Sequence, residues 1–561
     1  MVVSLAQNPG GIVQRTSTKE SFATNCVLNP KGSLAPMSTH ALDVLVVGAG
    51  PTGLVTALPR TLEIYKFLGV LDEMKGPGMP MPDLLQYVDS KPGKAVPVQL
   101  CQEESPAYPE RIPWLLGQDT ACRVLLKHLR GFGIEVEMST ELYHFEQRED
   151  HVTASIIKAK NGIQFEKVNA KYLVGADGGK GFVRKSLGLS FVGETQDDTH
   201  VLVGEVQAYG IDNEHWHKFG GAPQDSIMLR PTDRSDSEHV FFLSCTGPNF
   251  DLKKGREDHN YLRKFVYDVA GFPDLRLGEI EAITDYRLNI RTVRNVRNSR
   301  VFIAGDAAYV HSVTGGQGMN SSVMDALEDS LASKGSASDN LLETYTIERL
   351  PVIEEMLERT TTILEKTFKA VSVWPSPVHL DQLGVNYRWS PIVIGDGVEN
   401  LHVIAEESGG MDTGSSYIID RGEALRPGDR AHDAYGLLDL KTGAIKRLFD
   451  IFGVEHHTIL FFVDGHMDFS SFVPSLGRIP RELIQTVVLH RSGASISDLD
   501  NSTDFVLYDS GGHAHAAYRP EASSRSIVII RPDGVVGALL GDMEGVNKYF
   551  SGVLSPTFQL T

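Results

Sequence analysis

Cysteine is scarce in this chain. Four are spread over 561 residues, at Cys26, Cys101, Cys122 and Cys245. That count excludes a disulfide framework or a cysteine-rich metal site, no metal is expected, and the thiols suit a reducing compartment. No run approaches 18 consecutive apolar residues, so no helical membrane span is expected. A basic block is also missing. The 53 Lys and Arg face 72 Asp and Glu, for a formal net charge of −19, which argues against a nucleic-acid partner. The first 40 residues lack the apolar core of a secretory signal and are rich in Ser, Thr, Asn and Gly, so 1–40 reads as a disordered extension, with Met37 as an alternative start. The terminal Gln-Leu-Thr is not a peroxisomal address. The cytoplasm is the default compartment.

What is present is enough for two or three domains, with 41% hydrophobic residues to build their cores. The stretch Arg300 to Asp325, RVFIAGDAAYVHSVTGGQGMNSSVMD, organises the reading. A short apolar strand leads to Gly305 and Asp306, then a polar loop, then a helix from about Met319. Free N–H groups at a helix start hold an electron-rich group, and an Asp just after the strand accepts from sugar-like hydroxyls. Upstream, DVLVV at Asp43 to Val47 is followed by Gly48, Gly50 and Gly53 as G-x-G-x-x-G, with a helix expected from Leu54 to Leu58. Between strand and helix, that fingerprint marks a dinucleotide site.

The acid that should follow about 20 residues later, at the end of a second strand, is missing. Asp72 and Glu73 fall near that count, but TLEIYKFLGVLDEM has a helical apolar pattern and presents no strand. Pro59 cuts the expected helix short. Roughly the rest of a βαβ unit, a unit that spans ~30 residues or more, is absent at the Leu58 junction. Either coding sequence has dropped out or this is a true variant.

Gln118 and Asp119 open a helix whose apolar face is Val124, Leu125 and Leu129. His151 to Ile157 and Gly162 to Val168 form a hairpin. YLVGADGGKGFVR then pairs a strand with Asp177 and Gly178. Val201 to Arg297 alternates strands with polar turns. Its last strand carries Tyr286, Arg287, Asn289 and Arg291, which line a substrate pocket or simply meet water.

These motifs together resemble the FAD-dependent aromatic hydroxylases of the p-hydroxybenzoate and phenol hydroxylase type, from about Asp43 to the C-terminus. The resemblance implies an α/β fold: a Rossmann-like FAD-binding domain without its second strand, a mixed-sheet substrate domain and a C-terminal thioredoxin-like domain. The FAD-binding domain spans 41–374, interleaved with a substrate part mainly at 79–115 and 190–297. A Pro-, Gly- and Ser-rich linker covers 375–425. The thioredoxin-like unit covers 426–561 and has no CxxC, so it performs no dithiol chemistry.

By the same resemblance, Asp306 holds the ribityl chain, and Gly318, Met319 and Asn320 meet the flavin pyrimidine. Gln118 touches the flavin or ribityl chain, Arg123 lies near the phosphates, and Asp177 lies near both FAD and a passing nicotinamide. Three positions depart from the family: Tyr309 replaces a His, Val313 a Pro, and Gly181 a Ser. The implied activity is NAD(P)H- and O2-dependent hydroxylation of a phenolic or polyketide-derived ring, with a possible homodimer. The alternative is a flavin-impaired or non-redox relative, such as a binding protein, isomerase or cyclase.

Overall fold

The computed structural model describes residues 2–5, 42–49, 55–98, 101, 103–221, 223–234, 238–311, 316–333, 339–368, 381–395, 415–418, 424–463, 476–477, 479–491, 503–519 and 526–554. Three eight-stranded sheets form the framework among these residues. At the heart of the first, β2 (Leu42–Val47), β4 (Gln164–Gly175) and β10 (Val301–Ile303) run parallel, with Gly175 level with both Val47 and Ile303. Their runs of Val, Leu, Ile and Phe are those of strands covered on both faces. The three strands therefore end together at one edge of the sheet.

Beside β2, where a βαβ unit would place its next parallel strand, lies β1 (Val2–Leu5). It is antiparallel, with Val2 opposite Val47 and Leu5 opposite Val44. Four residues of the expected disordered extension are thus sheet; β-branched Val2 and Val3 suit a pleated surface. The other side of β1 pairs with Val136–Glu137.

The expected helix at Leu54 to Leu58 is not formed. Val55–Ala57 is a strand, β3, that pairs with Trp114–Leu116. Val55 and Thr56 favour a strand, and Pro59 disfavours a helical conformation at Leu58 before it. Instead Pro59 opens a new helix, α1 (Pro59–Phe67), at the first-turn position where its missing N–H costs nothing.

The second sheet takes its strands from Asp83–Val88, Lys91–Val96, β5 (Val192–Tyr209), β6 (His215–Gly220), β7 (Ser226–Pro231), β8 (Val240–Thr246), β9 (Arg276–Thr292) and Tyr309–Val310. One face buries Leu202, Val206, Phe219, Leu229, Phe241 and Leu243 against Leu262 and Val266 of α3 (His259–Ala270). Strand alternation sends the intervening side chains to the opposite face.

In the third sheet β11 (His457–Val463), β12 (Ile484–His490) and β13 (Phe505–Asp509) are parallel. The antiparallel hairpin β14 (Ile527–Ile530) and β15 (Val536–Leu540) continues it, and α6 (Met543–Val553) packs alongside. The stretch 375–425 is not a plain linker where it is described. Val385, Tyr387, Trp389 and Tyr417 belong to the core of the first sheet, and Ile394–Gly395 pairs with β15. Pro and Gly prevent regular structure there without preventing burial.

Buried charges close the seam between the C-terminal unit and the rest. Glu63 on α1 accepts from Arg430 (2.6 and 2.8 Å) and from Arg60 (3.0 Å). Arg60 also donates to the carbonyl of Asp533 (2.6 Å). On α5 (Asp339–Phe368), Glu348 takes both ends of the Arg531 fork at 2.8 Å, and Arg531 reaches Asp533 at 2.6 Å.

Candidate cofactor and substrate site

Three motif turns leave the carboxyl ends of β2, β4 and β10, the location where open α/β sheets bind ligands. Gly48 follows β2 with φ +116°, and a Cβ there would stand 2.0 Å from the carbonyl oxygen of Ala176. Only glycine permits that approach. Gly50 and Gly53 lie outside the described residues. Asp177 and Gly178 follow β4; the Gly305–Ala307 turn, with Asp306 at its centre, follows β10.

Arg184 ties two of these turns together. Its guanidinium donates to the carbonyls of Ala307 and Gly179, both at 2.8 Å. The plane lies over the Phe191 ring at 3.9 Å, and burial pulls its pKa down.

Asp177 is first a helix cap. One carboxylate oxygen accepts from the N–H groups of Phe182 (2.6 Å) and Val183 (3.0 Å). The other oxygen is buried with no hydrogen-bond partner among the described residues. A Cβ on Gly181 would come within 2.4 Å of it, which accounts for glycine where the family has Ser.

Asp325, on α4 (Gln317–Ser333), fixes the Asp306 turn from behind. It accepts from the Gly305 N–H (3.0 Å), the Tyr309 hydroxyl (2.8 Å) and Arg349 (2.8 Å). Tyr309 is therefore a buried structural residue; burial, then the Asp325 charge, holds its hydroxyl far above the ordinary range. Sequence reading missed Asp325 and Arg349. The available signal was a carboxylate one turn after Ser321, on the helix that follows the Asp306 loop.

Gly318, Met319 and Asn320 occupy the first turn of α4. The Asn320 side chain accepts from the Leu58 N–H (2.9 Å) and donates to the Gly316 carbonyl (2.6 Å). It thus staples the Leu58 junction to the helix. Val313 lies outside the described residues.

Gln118 is the first residue of α2 (Gln118–Gly131). Asp233, from the loop after β7, accepts from Thr120 Oγ1 (2.7 Å) at this helix start. Arg123 points to the surface and donates to Thr120 (2.7 Å) and Asp119 (3.4 Å). An open cavity of ≈ 360 Å³ lies here, lined by Thr120, Arg123, Lys127, Asp233 and Arg234 among others.

The four β9 candidates divide. Tyr286 donates to the His311 carbonyl (3.0 Å), beside Gly318. Asn289 and Arg291 lie on the opposite face by strand alternation. There Asn289 accepts from Thr195 (2.7 Å), and Arg291 donates to Thr195 (3.2 Å) and the Phe191 carbonyl (3.3 Å). The Arg287 side chain lies outside the described part of the structure. A single pocket wall of all four is not formed.

The Asp306 turn, the first turn of α4 and the unsatisfied Asp177 oxygen fit the polyhydroxylated chain and ring half of FAD. The adenosine half fits less well. β3 replaces the helix that would meet the pyrophosphate, and β1 brings no carboxylate to the strand edge.

A family model described as FAD binding domain matches residues 58–360. The chain belongs to that family. The match begins at Leu58, the junction itself. This FAD-binding-domain protein is 30% identical to a flavin-dependent monooxygenase of Mycobacteroides abscessus, over 91% of this chain and all of that one. It is 27% identical to aklavinone 12-hydroxylase RdmE of Streptomyces purpurascens, over 91% and 99%. Both alignments, 549 and 574 positions, exceed the part of this chain they cover, so each relative carries segments that this chain lacks. Among solved structures, the fold matches the flavin-dependent monooxygenase PieE with FAD and substrate (TM-score 0.68, 19% identity, 91% of this chain and 93% of that one). It also matches aklavinone-11 hydroxylase with FAD and aklavinone (TM-score 0.68, 22%, 90% and 93%). No described helix is long and apolar enough to cross a membrane.

Proposed function

We propose that this chain is an FAD-dependent monooxygenase that hydroxylates a phenolic or polyketide-derived ring, using NAD(P)H and O2. The observation that carries this reading is the meeting of three motif turns at adjacent parallel strand ends, two of them joined by Arg184. Bound FAD would supply the electron transfer and oxygen activation. The chain's part is placement. Asp306 would accept from the ribityl hydroxyls, and the first-turn N–H groups at Gly318, Met319 and Asn320 would meet the pyrimidine edge. Asp325 and Arg184 hold those groups in place. The second sheet covers the site and excludes water. A cytoplasmic location, a homodimer and a thioredoxin-like identity for the C-terminal unit belong to the same proposal. For the last, the parallel trio followed by an antiparallel hairpin is the support.

The second reading, an aromatic-binding relative that retains no flavin, rests on one observation alone: β3 lies in the sequence where the pyrophosphate helix is expected. The test is the visible spectrum of the purified chain after reconstitution with excess FAD. A stoichiometric band near ~450 nm, followed by phenol-stimulated NAD(P)H oxidation, supports the first reading. A cooperatively folded protein without retained flavin supports the second.

A further inference from the structure

The irregular stretch that leads toward the C-terminal unit contains one residue that is unfavourable twice over. Gln382 has φ +60°, a left-handed conformation that a Cβ disfavours. Asp89, Ser90, Ser139, His239 and Ser299 also have positive φ, but all of them are exposed. Gln382 is 2% exposed. Its side-chain oxygen is buried with no hydrogen-bond partner among the described residues, and an unmet buried acceptor is destabilising. Backbone strain of this kind persists only where neighbouring contacts over-determine it, and such places gather at functional sites.

The contacts that hold Gln382 lead to the ligand edge. Before it, the Asp381 carbonyl accepts from the Arg60 N–H at the start of α1 (3.3 Å), and the Asp381 carboxylate accepts from the Leu383 N–H (3.0 Å). The Gln382 amide itself donates to Gln317 Oε1 (2.7 Å) and to Ser321 Oγ (3.2 Å). Both partners are buried on α4, one turn apart, and Gly318, Met319 and Asn320 lie between them. Five residues on, the Tyr387 hydroxyl accepts from Arg349 (2.9 Å), the same guanidinium that holds Asp325 behind the Asp306 turn. One stretch of irregular chain therefore backs both the first turn of α4 and the Asp306 turn.

We propose that Gln382 is a positioning residue for the cofactor edge: its amide, acting through Gln317, fixes the first turn of α4 so that the N–H groups of Gly318, Met319 and Asn320 are set before a ligand arrives. This deepens the monooxygenase reading and rests on it for what the turn meets. The test uses the full chain, Gln382→Gly, which takes the same φ without strain, Gln317→Ala and the double variant. Amide hydrogen exchange of the peptide spanning 318–320 is followed by mass spectrometry without FAD, with the central strands of the first sheet as the internal reference; FAD is titrated afterwards. In Gln382→Gly, exchange in that peptide should quicken about three- to tenfold while the reference strands stay unchanged, and FAD affinity should fall by about the same factor. Added to Gln317→Ala, Gln382→Gly should change the exchange by less than about twofold, because both act on one contact. Unchanged exchange at 318–320, equal quickening everywhere, or full additivity in the double variant would overturn the proposal and leave Gln382 as packing. Gln317→Ala does not touch the strained turn, so it keeps the test readable if Gln382→Gly fails to fold. Failure of the monooxygenase reading shows separately, as absent flavin, because the exchange is read without it.

Discussion

The seam around Glu63 and the ligand edge around Asp177 both consist of buried polar groups, but they are finished to different degrees. At the seam, Glu63, Arg60, Arg430, Glu348, Arg531 and Asp533 pair with one another inside the chain, with the Arg531 Nε left without a described partner. At the edge, an Asp177 oxygen has no described partner, and the space beside Gly178 is open. Polar groups that close on themselves specify how two units dock. A buried oxygen left without a described partner at a strand end is where a ligand group could be held.

The strongest way to break this contrast is Glu63→Gln. It strands two guanidiniums and should lower unfolding free energy by ~3–5 kcal/mol, read from the urea midpoint, with no direct loss at the flavin edge. Asp325→Asn acts on a buried ion pair that lies directly behind the edge. It loosens the buried Arg349 pair and the Asp306 turn, so about 3 kcal/mol of stability and flavin retention should fall together; loss of only one would separate what the structure joins. Asp306→Ala should do the reverse of Glu63→Gln. Flavin affinity should drop at least about tenfold, in line with a lost hydrogen bond to a charged group, while the urea midpoint moves little.

Gly181→Ser restores the residue common in the family, yet it should cost about 1 kcal/mol, because the new Cβ displaces the Asp177 cap. Unchanged thermal stability would show that the cap tolerates it. The smallest effect concerns pH. Burial lowers the pKa of His217 and His490, so both stay neutral when folded. Their stabilisation is whole above ~6.5 and falls as pH drops below it toward the folded values. His490→Phe removes a ring whose nitrogens have no described partner and should flatten that slope.

Strand ends and motif turns were legible in the sequence because they depend on local chemistry. Apolar runs at Asp43, Tyr172 and Val301 announced the parallel strands, and Gly48, Asp177 and Asp306 announced their turns. The Leu58 junction was legible too, as a motif without its sequel. What filled the gap was not. Val2–Leu5 lies some 40 positions before its partner strand, and pairing at that distance leaves no local trace. The burial of Tyr387 and Trp389 was hidden by a loop-like composition. The split of Tyr286 from Asn289 and Arg291 follows from strand alternation, which decides faces but not which face meets the site.

The direction of β1 also bears on handling the protein. Because it runs antiparallel to β2, its first residue stands opposite Val47, next to Gly48 at the ligand edge. Any affinity tag fused ahead of Val2 is therefore delivered to the mouth of the expected flavin site. A weak flavin signal from a tagged preparation would report the tag's obstruction as much as the chain's affinity, and cleaving it is part of the control.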